Sequence, residues 1–305
     1  MASLKEVRNR ITSITSTQQI TKAMKMVAAA KLRKAQERSI QMRPYSQKLS
    51  AILKKIVANT ENSTNSEFLE ERTPTKILIV IATSDRGLCG GFNNNVVKAA
   101  MALVNETYAA QLQAGNVTFM CIGKKGKEIL QKRNFQVDAE HSEIFTKLTF
   151  ENVKLAAEKA MTGFTNKDYD VVEIIYNEFK NAAVQVVCTE RFLPIALDKV
   201  VAAETSKKMD LNKPDAATNT DYIFEPTQEE IITQLLPKSL KIQFFKALLE
   251  SNASEHGARM SAMDKATENA GELLKELKLT YNRTRQAAIT KEILEIVGGA
   301  EALSS

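Results

Sequence analysis

The fold is decided by residues 238–303, which read KSLKIQFFKALLESNASEHGARMSAMDKATENAGELLKELKLTYNRTRQAAITKEILEIVGGAEAL. No proline interrupts this stretch, and at about 1.5 Å of rise per residue such a helix spans on the order of 100 Å. Apolar or small residues return on one face at intervals of three and four, as a coiled-coil seam requires. They are Leu240, Phe244, Ala247, Ala258, Ala262, Ala266, Ala270, Leu273, Leu277, Ile289, Ile293, Ile296 and Ala300. A narrow apolar stripe needs an equally long partner helix.

The partner lies at the other end of the chain, where residues 4–56 show the same helical spacing with a kink expected at Pro44. Its seam residues are Leu4, Val7, Ile11, Ile14, Met24, Val27, Leu32, Met42, Leu49, Ile52 and Ile56. Small residues dominate 251–271, and they face a set of alanines consisting of Ala28, Ala29, Ala30 and Ala35. The sequence therefore predicts an antiparallel coiled coil of the N- and C-terminal helices, with close backbone approach.

The middle of the chain alternates strands and helices, which predicts an α/β domain with a mainly parallel sheet. The predicted strands are 76–85, 117–122, 169–179 and 183–193, the last two forming an edge hairpin, and the predicted helices are 93–113, 124–132 and 149–164. Polar segments at 59–73 and 204–221 are predicted linkers, and Pro237 is expected to kink the returning helix. The predicted organisation is an N-terminal coiled-coil helix (1–58), a central α/β domain (74–200), a linker with a short strand (201–226) and a C-terminal coiled-coil helix (227–303).

Composition excludes several classes of protein. The 305 residues are 44% hydrophobic and 26% charged, and no apolar run approaches the roughly 20 residues of a membrane span. Met1 leads directly into a helix, so no signal or transit peptide is expected. The cysteines Cys89, Cys121 and Cys188 are odd in number and widely spaced, which favours three reduced thiols over a disulfide or a zinc site.

The charge of the chain is distributed unevenly. Residues 1–57 contain thirteen lysines and arginines against Glu6 and Glu37, a net charge of +11, so the remaining chain carries −5 of the total +6. A nearly acid-free helix of this length either exposes a solvated face or meets an anionic partner. Nucleic acid, lipid headgroups and acidic protein loops are all compatible with that charge.

The clearest candidate for chemistry is Asp85–Gly91 (DRGLCGG), a glycine turn between a strand and a helix. Its glycine spacing matches neither of the two common nucleotide-binding patterns, so a tight turn is favoured over a phosphate site. His141 and His256 are the only histidines, and neither has the neighbours of a metal site or catalytic dyad. No catalytic, cofactor-binding or metal-binding residues are therefore predicted.

Four segments closely resemble the gamma subunit of F-type ATP synthases. They are 20–36 (ITKAMKMVAAAKLRKAQ), 82–93 (ATSDRGLCGGFN), 254–270 (SEHGARMSAMDKATENA) and 281–300 (YNRTRQAAITKEILEIVGGA). The resemblance covers essentially the whole chain. It implies a Rossmann-like α/β domain carried by a long antiparallel coiled coil.

The resemblance also implies a function. In that family the paired helices are the central rotor shaft inside a hexamer of alpha and beta subunits, and the α/β domain is the foot that rests on the membrane c-ring and holds the epsilon subunit. This implies a non-catalytic subunit, one copy per complex, without cofactor, metal, nucleic acid or small-molecule substrate of its own. It would couple proton-driven c-ring rotation to conformational change at the beta-subunit catalytic sites, as a peripheral protein on the cytoplasmic face of a bacterial inner membrane.

The family's functional positions carry over to particular residues. The coupling positions match Met24, Arg259, Gln286, Thr290 and Glu292, and Lys22 and Lys25 lie beside the first of these, facing the acidic beta-subunit loops. Tyr222, Phe224 and Glu225 match the foot segment near the c-ring. The plainer alternative is that Met24 fills the seam and the charged residues are solvated. The cysteine insertion of plastid members is absent, which favours a bacterial-type subunit.

Two other classes stay open on the residues alone. A nucleic-acid-binding coiled coil would explain the basic first helix, and it would bind with strong salt dependence. A nucleotide-dependent enzyme would use the middle domain, and a nucleotide titration would reveal it. Co-purification with alpha and beta subunits discriminates between these two classes and the rotor subunit.

Overall fold

The computed structural model describes residues 3–58, 67–195 and 228–304. The chain forms two compact units, one made of residues 1–30 with 259–305 and the other of residues 31–258. Two long helices, α1 (Leu4–Ala58) and α6 (Gln228–Ser304), supply residues to both. The long terminal helices of the prediction are therefore confirmed. None of the described helices combines the length and hydrophobicity that a bilayer-crossing segment needs.

A five-stranded sheet organises the unit of residues 31–258. Its strands are β1 (Ile77–Ala82), β2 (Val117–Ile122), β3 (Val137–Asp138), β4 (Val171–Phe179) and β5 (Gln185–Leu193), arranged in the order β3-β2-β1-β4-β5. The pairs β1–β2, β1–β4 and β2–β3 are parallel, whereas β5 is antiparallel to β4 at the edge. The mainly parallel sheet and its edge hairpin are thus confirmed. The two-residue strand β3 has no hydrophobic run that sequence reasoning could detect.

The sheet is covered on both faces, which explains why β1 is a continuous run of apolar residues. Ile77, Ile79 and Ile81 pack with α2 (Phe92–Thr107) on one side, together with Leu130 of α4 (Lys124–Gln131). Leu78, Val80 and Ala82 point to the other side. There they join α5 (Phe150–Thr165) and the buried α6 residues Leu240, Phe244 and Leu248.

The single helix predicted over 93–113 is wrong, because the chain forms α2 and then α3 (Ala109–Gln113), with Tyr108 between them. Tyr108 has φ −123° and ψ 31°, outside the helical region. Its buried hydroxyl donates to Glu173 Oε1 on β4 at 3.1 Å. A buried tyrosine hydroxyl that needs a partner therefore accompanies the interruption.

The unit of residues 1–30 and 259–305 is an antiparallel pair of helical segments. On each segment, residues at alternating intervals of four and three positions are buried or half-buried, as in a coiled coil. On α1 these residues are Val7, Ile11, Ile14, Gln18, Thr21, Lys25 and Ala28, and on α6 they are Met263, Thr267, Ala270, Leu274, Leu277, Tyr281 and Thr284. The seam is regular, but polar residues occupy several of its positions.

The observed seam differs from the predicted one at several positions. Eight described residues that the sequence predicts in the seam or among its facing alanines are exposed instead. They are Val27, Ala30, Ile52, Leu273, Ile289, Ile293, Ile296 and Ala300. A search for apolar residues alone passes over Thr21 and Lys25 and selects neighbours such as Val27 instead. On α6 it selects Leu273, which is 41% exposed, over the buried Leu274.

Both internal prolines lie inside continuous helix. Pro44 is within α1 and Pro237 is within α6, which begins at Gln228, one residue from the predicted start at 227. A proline removes one helical hydrogen bond. Around Pro237 the buried side chains of Leu236 and Leu240 offset that loss by packing.

Candidate functional site

The centre of the coiled coil contains a polar layer that the sequence search missed. Lys25 Nζ forms an ion pair with Asp264 Oδ1 at 2.5 Å, and the hydroxyl oxygens of Thr21 and Thr267 lie 2.8 Å apart. The amide of Gln18 lies over Gly271, where a Cβ atom would come within 3.0 Å of Gln18 Nε2. Polar groups inside a helical seam fix which residues face each other, at some cost in stability. Extending the heptad that begins at Leu4 would have placed these residues in the seam.

The same contacts define the register of the two helices. The residue numbers of the facing pairs Lys25–Asp264, Thr21–Thr267 and Gln18–Gly271 add up to 288 or 289 in each case. By this rule Ser3 faces about residue 286. Within the described residues, the part of α6 that follows has no facing residue on α1.

The unpaired end of α6, residues 287–304, is called the overhang below. Five large apolar side chains on it are between 50% and 66% exposed, namely Ile289, Ile293, Leu294, Ile296 and Val297. Isolated exposed hydrophobic residues are ordinary on protein surfaces, but a contiguous apolar surface marks an interaction site. The overhang therefore has the character of a binding surface.

The predicted coupling residues fall into two groups. Met24 is half-buried at the edge of the seam, Lys22 is exposed, and Lys25 is the partner of Asp264. Arg259 is half-buried on α6 in the same unit. Gln286, Thr290 and Glu292 are exposed at or beyond the start of the overhang, where the Thr290 hydroxyl donates to the Gln286 carbonyl at 2.9 Å. The foot residues Tyr222, Phe224 and Glu225 lie outside the described residues.

The glycine turn at 85–91 lies at the carboxyl end of β1, the position where open α/β sheets usually bind ligands. Ser84 N donates to Asn93 Oδ1 at 2.8 Å, and Asn93 Nδ2 donates to Ser84 Oγ at 2.8 Å. Cys89 and Phe92 are buried against Ala258 of α6. The first turn of α2 is therefore filled by the protein's own side chains.

The neighbouring helix terminus is occupied in the same way. The first three N–H groups of α4 donate to Asp85 Oδ1, the Ser84 carbonyl and Thr83 Oγ1, at 3.2, 3.0 and 2.9 Å respectively. Gly123 has φ +103°, and a Cβ atom there would lie 2.0 Å from the Thr83 carbonyl oxygen. The donors that could cradle a phosphate are thus already bound to the loop that follows β1.

In the part of the chain that the structure describes, the thiols and acidic groups do not form a reactive centre. All three cysteines are free, and burial raises the pKa of Cys121 to about 12 and that of Cys188 to about 11. Thiols with raised pKa values are poor nucleophiles at neutral pH. Within the described ranges, no group of three or more His, Cys, Asp or Glu residues is arranged to hold a metal ion.

Taken together, an antiparallel coiled coil with a polar layer and an apolar overhang, and an α/β domain whose ligand position is filled, define a coiled-coil shaft protein. The ATP synthase family matches residues 3–303. The ATP synthase gamma chain of Cytophaga hutchinsonii is 58% identical over 305 residues, and that of Flavobacterium johnsoniae is 51% identical over 306, each alignment covering 100% of both chains. The chain belongs to the ATP synthase gamma-chain family.

Solved structures agree with this assignment. A chain in the central stalk and c-ring of the Tetrahymena thermophila mitochondrial ATP synthase has a TM-score of 0.54 and 27% identity, covering 81% of this chain and 99% of that one. A chain in the Euglena gracilis mitochondrial ATP synthase has a TM-score of 0.62, covering 98% of this chain and 94% of that one. At 19% identity the Euglena chain supports the fold alone.

Proposed function

We propose that this chain is the central rotor shaft of the F1 sector of a proton-translocating ATP synthase. It couples rotation of the membrane c-ring to conformational change at the catalytic sites of the beta subunits. Family membership supports this role over a nucleic-acid-binding coiled coil or a free-standing nucleotide enzyme. One copy works in each complex, as a peripheral subunit on the cytoplasmic face of a bacterial inner membrane.

The observation that carries the proposal is the apolar overhang of α6. Burying one isoleucine side chain contributes about 1.5–3 kcal/mol, so a partner that buries the exposed apolar side chains of the overhang would gain a large binding free energy. A ring of apolar residues around the helix end would supply that burial. The hexamer of alpha and beta subunits is the partner that fits this requirement.

Exposed lysines of α1 support the second part of the proposal. Lys22, Lys31 and Lys34 are exposed, and none of them has an ion-pair partner among the described residues. Acidic beta-subunit loops that pass these lysines would be attracted to them. Met24 and Arg259 lie in the same unit as Lys22, so we propose that they take part in coupling together with Gln286, Thr290 and Glu292.

The α/β domain is proposed as the foot that contacts the c-ring and the epsilon subunit, with Tyr222, Phe224 and Glu225 on the c-ring side. The proposed organisation keeps the divisions 1–58, 74–200, 201–226 and 227–303. The filled helix termini beside β1 support a non-catalytic role without a cofactor. The chain then transmits force and leaves the chemistry to its partners.

The proposal is tested by purifying the tagged chain from membranes and by two matched double variants. We expect alpha and beta subunits to co-purify with the unmodified chain. Ile289→Asp/Ile293→Asp places two charges on the apolar surface of the overhang. Lys291→Gln/Glu295→Gln removes an exposed ion pair of 3.5 Å on the same segment and serves as the control.

Both double variants should leave the free energy of unfolding of the isolated chain unchanged within about 0.5 kcal/mol, because the four side chains are exposed. The aspartate variant should reduce ATP synthesis by about tenfold or more, which corresponds to a loss of about 1.4 kcal/mol. The control should retain full synthesis. Absence of alpha and beta subunits from the purified material, or equal synthesis by the two variants, would contradict the proposal.

A further inference from the structure

Glu250 is a buried carboxyl group on α6 that the proposed shaft function does not use. Only 4% of it is exposed, and its neighbours Leu249 and Ser251 are buried as well. This part of α6 lies on the β4–β5 hairpin, because Ser254 Oγ donates to the Asn177 carbonyl at 2.9 Å. One turn further along, a Cβ atom added at Gly257 would lie 3.3 Å from Phe179 and 3.4 Å from Ala182 of the hairpin. Among the described residues no cation bonds directly to Glu250, and burial of a carboxyl group without such a bond is costly, so Glu250 requires an explanation.

Two of the three carboxylates on the hairpin strands, those of Glu178 and Glu190, are hydrogen-bonded across the hairpin. Tyr176 on β4 faces Cys188 on β5 in the antiparallel register. The Tyr176 hydroxyl donates to Glu190 Oε1 at 2.8 Å, and the Cys188 thiol donates to Glu178 Oε2 at 3.7 Å. The Glu178 and Glu190 carboxylates therefore each accept a hydrogen bond from the opposite strand.

The charges around Glu250 do not balance. Among the described residues, the charged groups that interact with Glu250 are Glu178 of β4, Glu190 of β5, Lys246 of α6 and Arg43 of α1, and the Tyr176 hydroxyl interacts with it as well. Three ionised carboxylates would face two cations, one of which, Arg43, is itself exposed to solvent. None of the hydrogen bonds or ion pairs of the described residues joins either cation directly to Glu250. An ionised Glu250 would leave excess negative charge between α6 and the hairpin.

Desolvation reinforces this imbalance. Burial is the largest influence on Glu250 and raises its pKa; the nearby Glu178 and Glu190 raise it too, while Lys246 and Arg43 lower it without cancelling the rise. Burial likewise raises the pKa of Tyr176 far above its ordinary value and that of Cys188 to about 11. The tyrosine and the cysteine therefore stay neutral through the pH range in which a buried carboxyl titrates.

We propose that Glu250 is a proton switch that makes the packing of α6 on the β4–β5 hairpin depend on pH. In the protonated form the carboxyl is neutral and can donate a hydrogen bond to a neighbouring carboxylate. In the ionised form it is repelled by Glu178 and Glu190, and the contact between α6 and the hairpin weakens. The proton exchanges with solvent, and no other reactant is required.

The direction of the pH effect on the contact follows from the linkage between proton binding and folding. A carboxyl with a folded-state pKa above the unfolded value of about 4.3 binds its proton more tightly in the folded protein. The stability it contributes is complete below the unfolded pKa. That contribution falls as the pH rises between the two values and is lost above the folded pKa. Opening of the contact should therefore become easier as the pH rises.

The test is hydrogen exchange of the full chain, measured for the amides of β5 between pH 5 and 8 and corrected for intrinsic exchange rates. In the unmodified protein, protection should fall by about tenfold for each unit by which the pKa of Glu250 is raised. Glu250→Gln, which mimics the protonated form, should show no such fall. Glu272→Gln, at an exposed position of α6, is the matched control and should behave like the unmodified protein.

A second variant keeps the test decisive if Glu250→Gln does not fold. Glu190→Gln removes one of the repelling charges, so the pH at which protection falls should move lower. Direct titration of the Glu250 carboxyl by carbon-13 NMR should show the same displacement. Equal pH dependence in the unmodified protein and in Glu250→Gln, or an unmoved titration in Glu190→Gln, would overturn the proposal.

Discussion

A disulfide across the polar layer tests the pairing of the two helices within one chain. The hydroxyl oxygens of Thr21 and Thr267 are 2.8 Å apart, so Thr21→Cys/Thr267→Cys places two sulfurs almost within the bond length of about 2.0 Å. The two residues are separated by 246 positions in the sequence. We expect the full-length chain to form an intramolecular disulfide under mild oxidation.

The expected gain in stability can be worked out from the size of the closed loop. The chain-entropy relation gives about 5 kcal/mol for a loop of this length, an upper value because engineered disulfides often strain the native state. Loss of the threonine hydrogen bond subtracts about 1 kcal/mol. The free energy of unfolding of the oxidised protein should therefore rise by roughly 2–4 kcal/mol over the unmodified protein.

The assays are non-reducing gel electrophoresis, denaturant unfolding and ATP hydrolysis by the assembled complex. The oxidised chain should migrate as a compact monomer, and the complex should keep turning over because the bond joins parts of the same rigid pair. Ala23→Cys/Thr267→Cys is the control, because Ala23 is exposed away from the seam. Disulfides that link two chains, or hydrolysis that stops on oxidation, would refute an intramolecular shaft.

Three further changes test other parts of the molecule. Gly123→Ala should lower the free energy of unfolding by roughly 3 kcal/mol, measured by denaturant unfolding, because its φ is +103° and the new Cβ meets the Thr83 carbonyl. Burial raises the pKa of Asp170, but hydrogen bonds from the Thr75 hydroxyl and the Lys76 and Thr75 N–H groups outweigh burial and hold it below its ordinary value. The Asp170 carboxylate therefore stabilises the protein above about pH 4, and this stabilisation is lost as the pH falls through its pKa in the folded protein. Asp170→Asn should lower the free energy of unfolding by about 1–3 kcal/mol at pH 7. The variant should also lose less stability than the unmodified protein when the pH is lowered. Met24→Lys adds a positive charge beside Lys25. It should leave ATP hydrolysis intact and lower the ratio of ATP-driven proton pumping to hydrolysis. An unchanged ratio together with less assembled complex would indicate a packing defect instead.

Absence of tight nucleotide binding can be tested separately. Calorimetric titration of the isolated chain with ATP should show no micromolar binding, since the first N–H groups of α4 are bound to Thr83, Ser84 and Asp85. Micromolar binding that disappears in a folded Gly90→Val protein would contradict this expectation.

The sequence predicted those features that depend on local pattern. The continuous apolar run of β1 indicated a strand buried on both faces, and the spacing from Leu4 to Ile14 indicated a long helix. The turn at 180–182 indicated the edge hairpin, which the structure confirms. These signals are strong because hydrophobic periodicity reports directly on the faces that an element buries.

Features that depend on contacts between distant residues could not be predicted in the same way. Thr21 and Lys25 lie in the seam, where their partners are Thr267 and Asp264 of the distant C-terminal helix. Because both residues are polar, a search for apolar spacing does not find them. Tyr108 interrupts a helix-favouring segment at a residue bonded to Glu173 on a different element. The charges around Glu250 come from α1, α6, β4 and β5, so only the folded chain brings them together.

The overhang of α6 has a mechanical consequence. Where α1 and α6 run side by side, a twisting load is shared by two backbones and by the side chains between them. Beyond about residue 286 the load passes through one helical backbone, and a Cβ atom added at Gly298 or Gly299 there would meet no neighbouring atom within 4 Å. Glycine lowers helix stability by about 1 kcal/mol per residue. Elastic twisting should therefore be greatest in the single-helix overhang, which should be more flexible than the part of the coiled coil in which α1 and α6 pair.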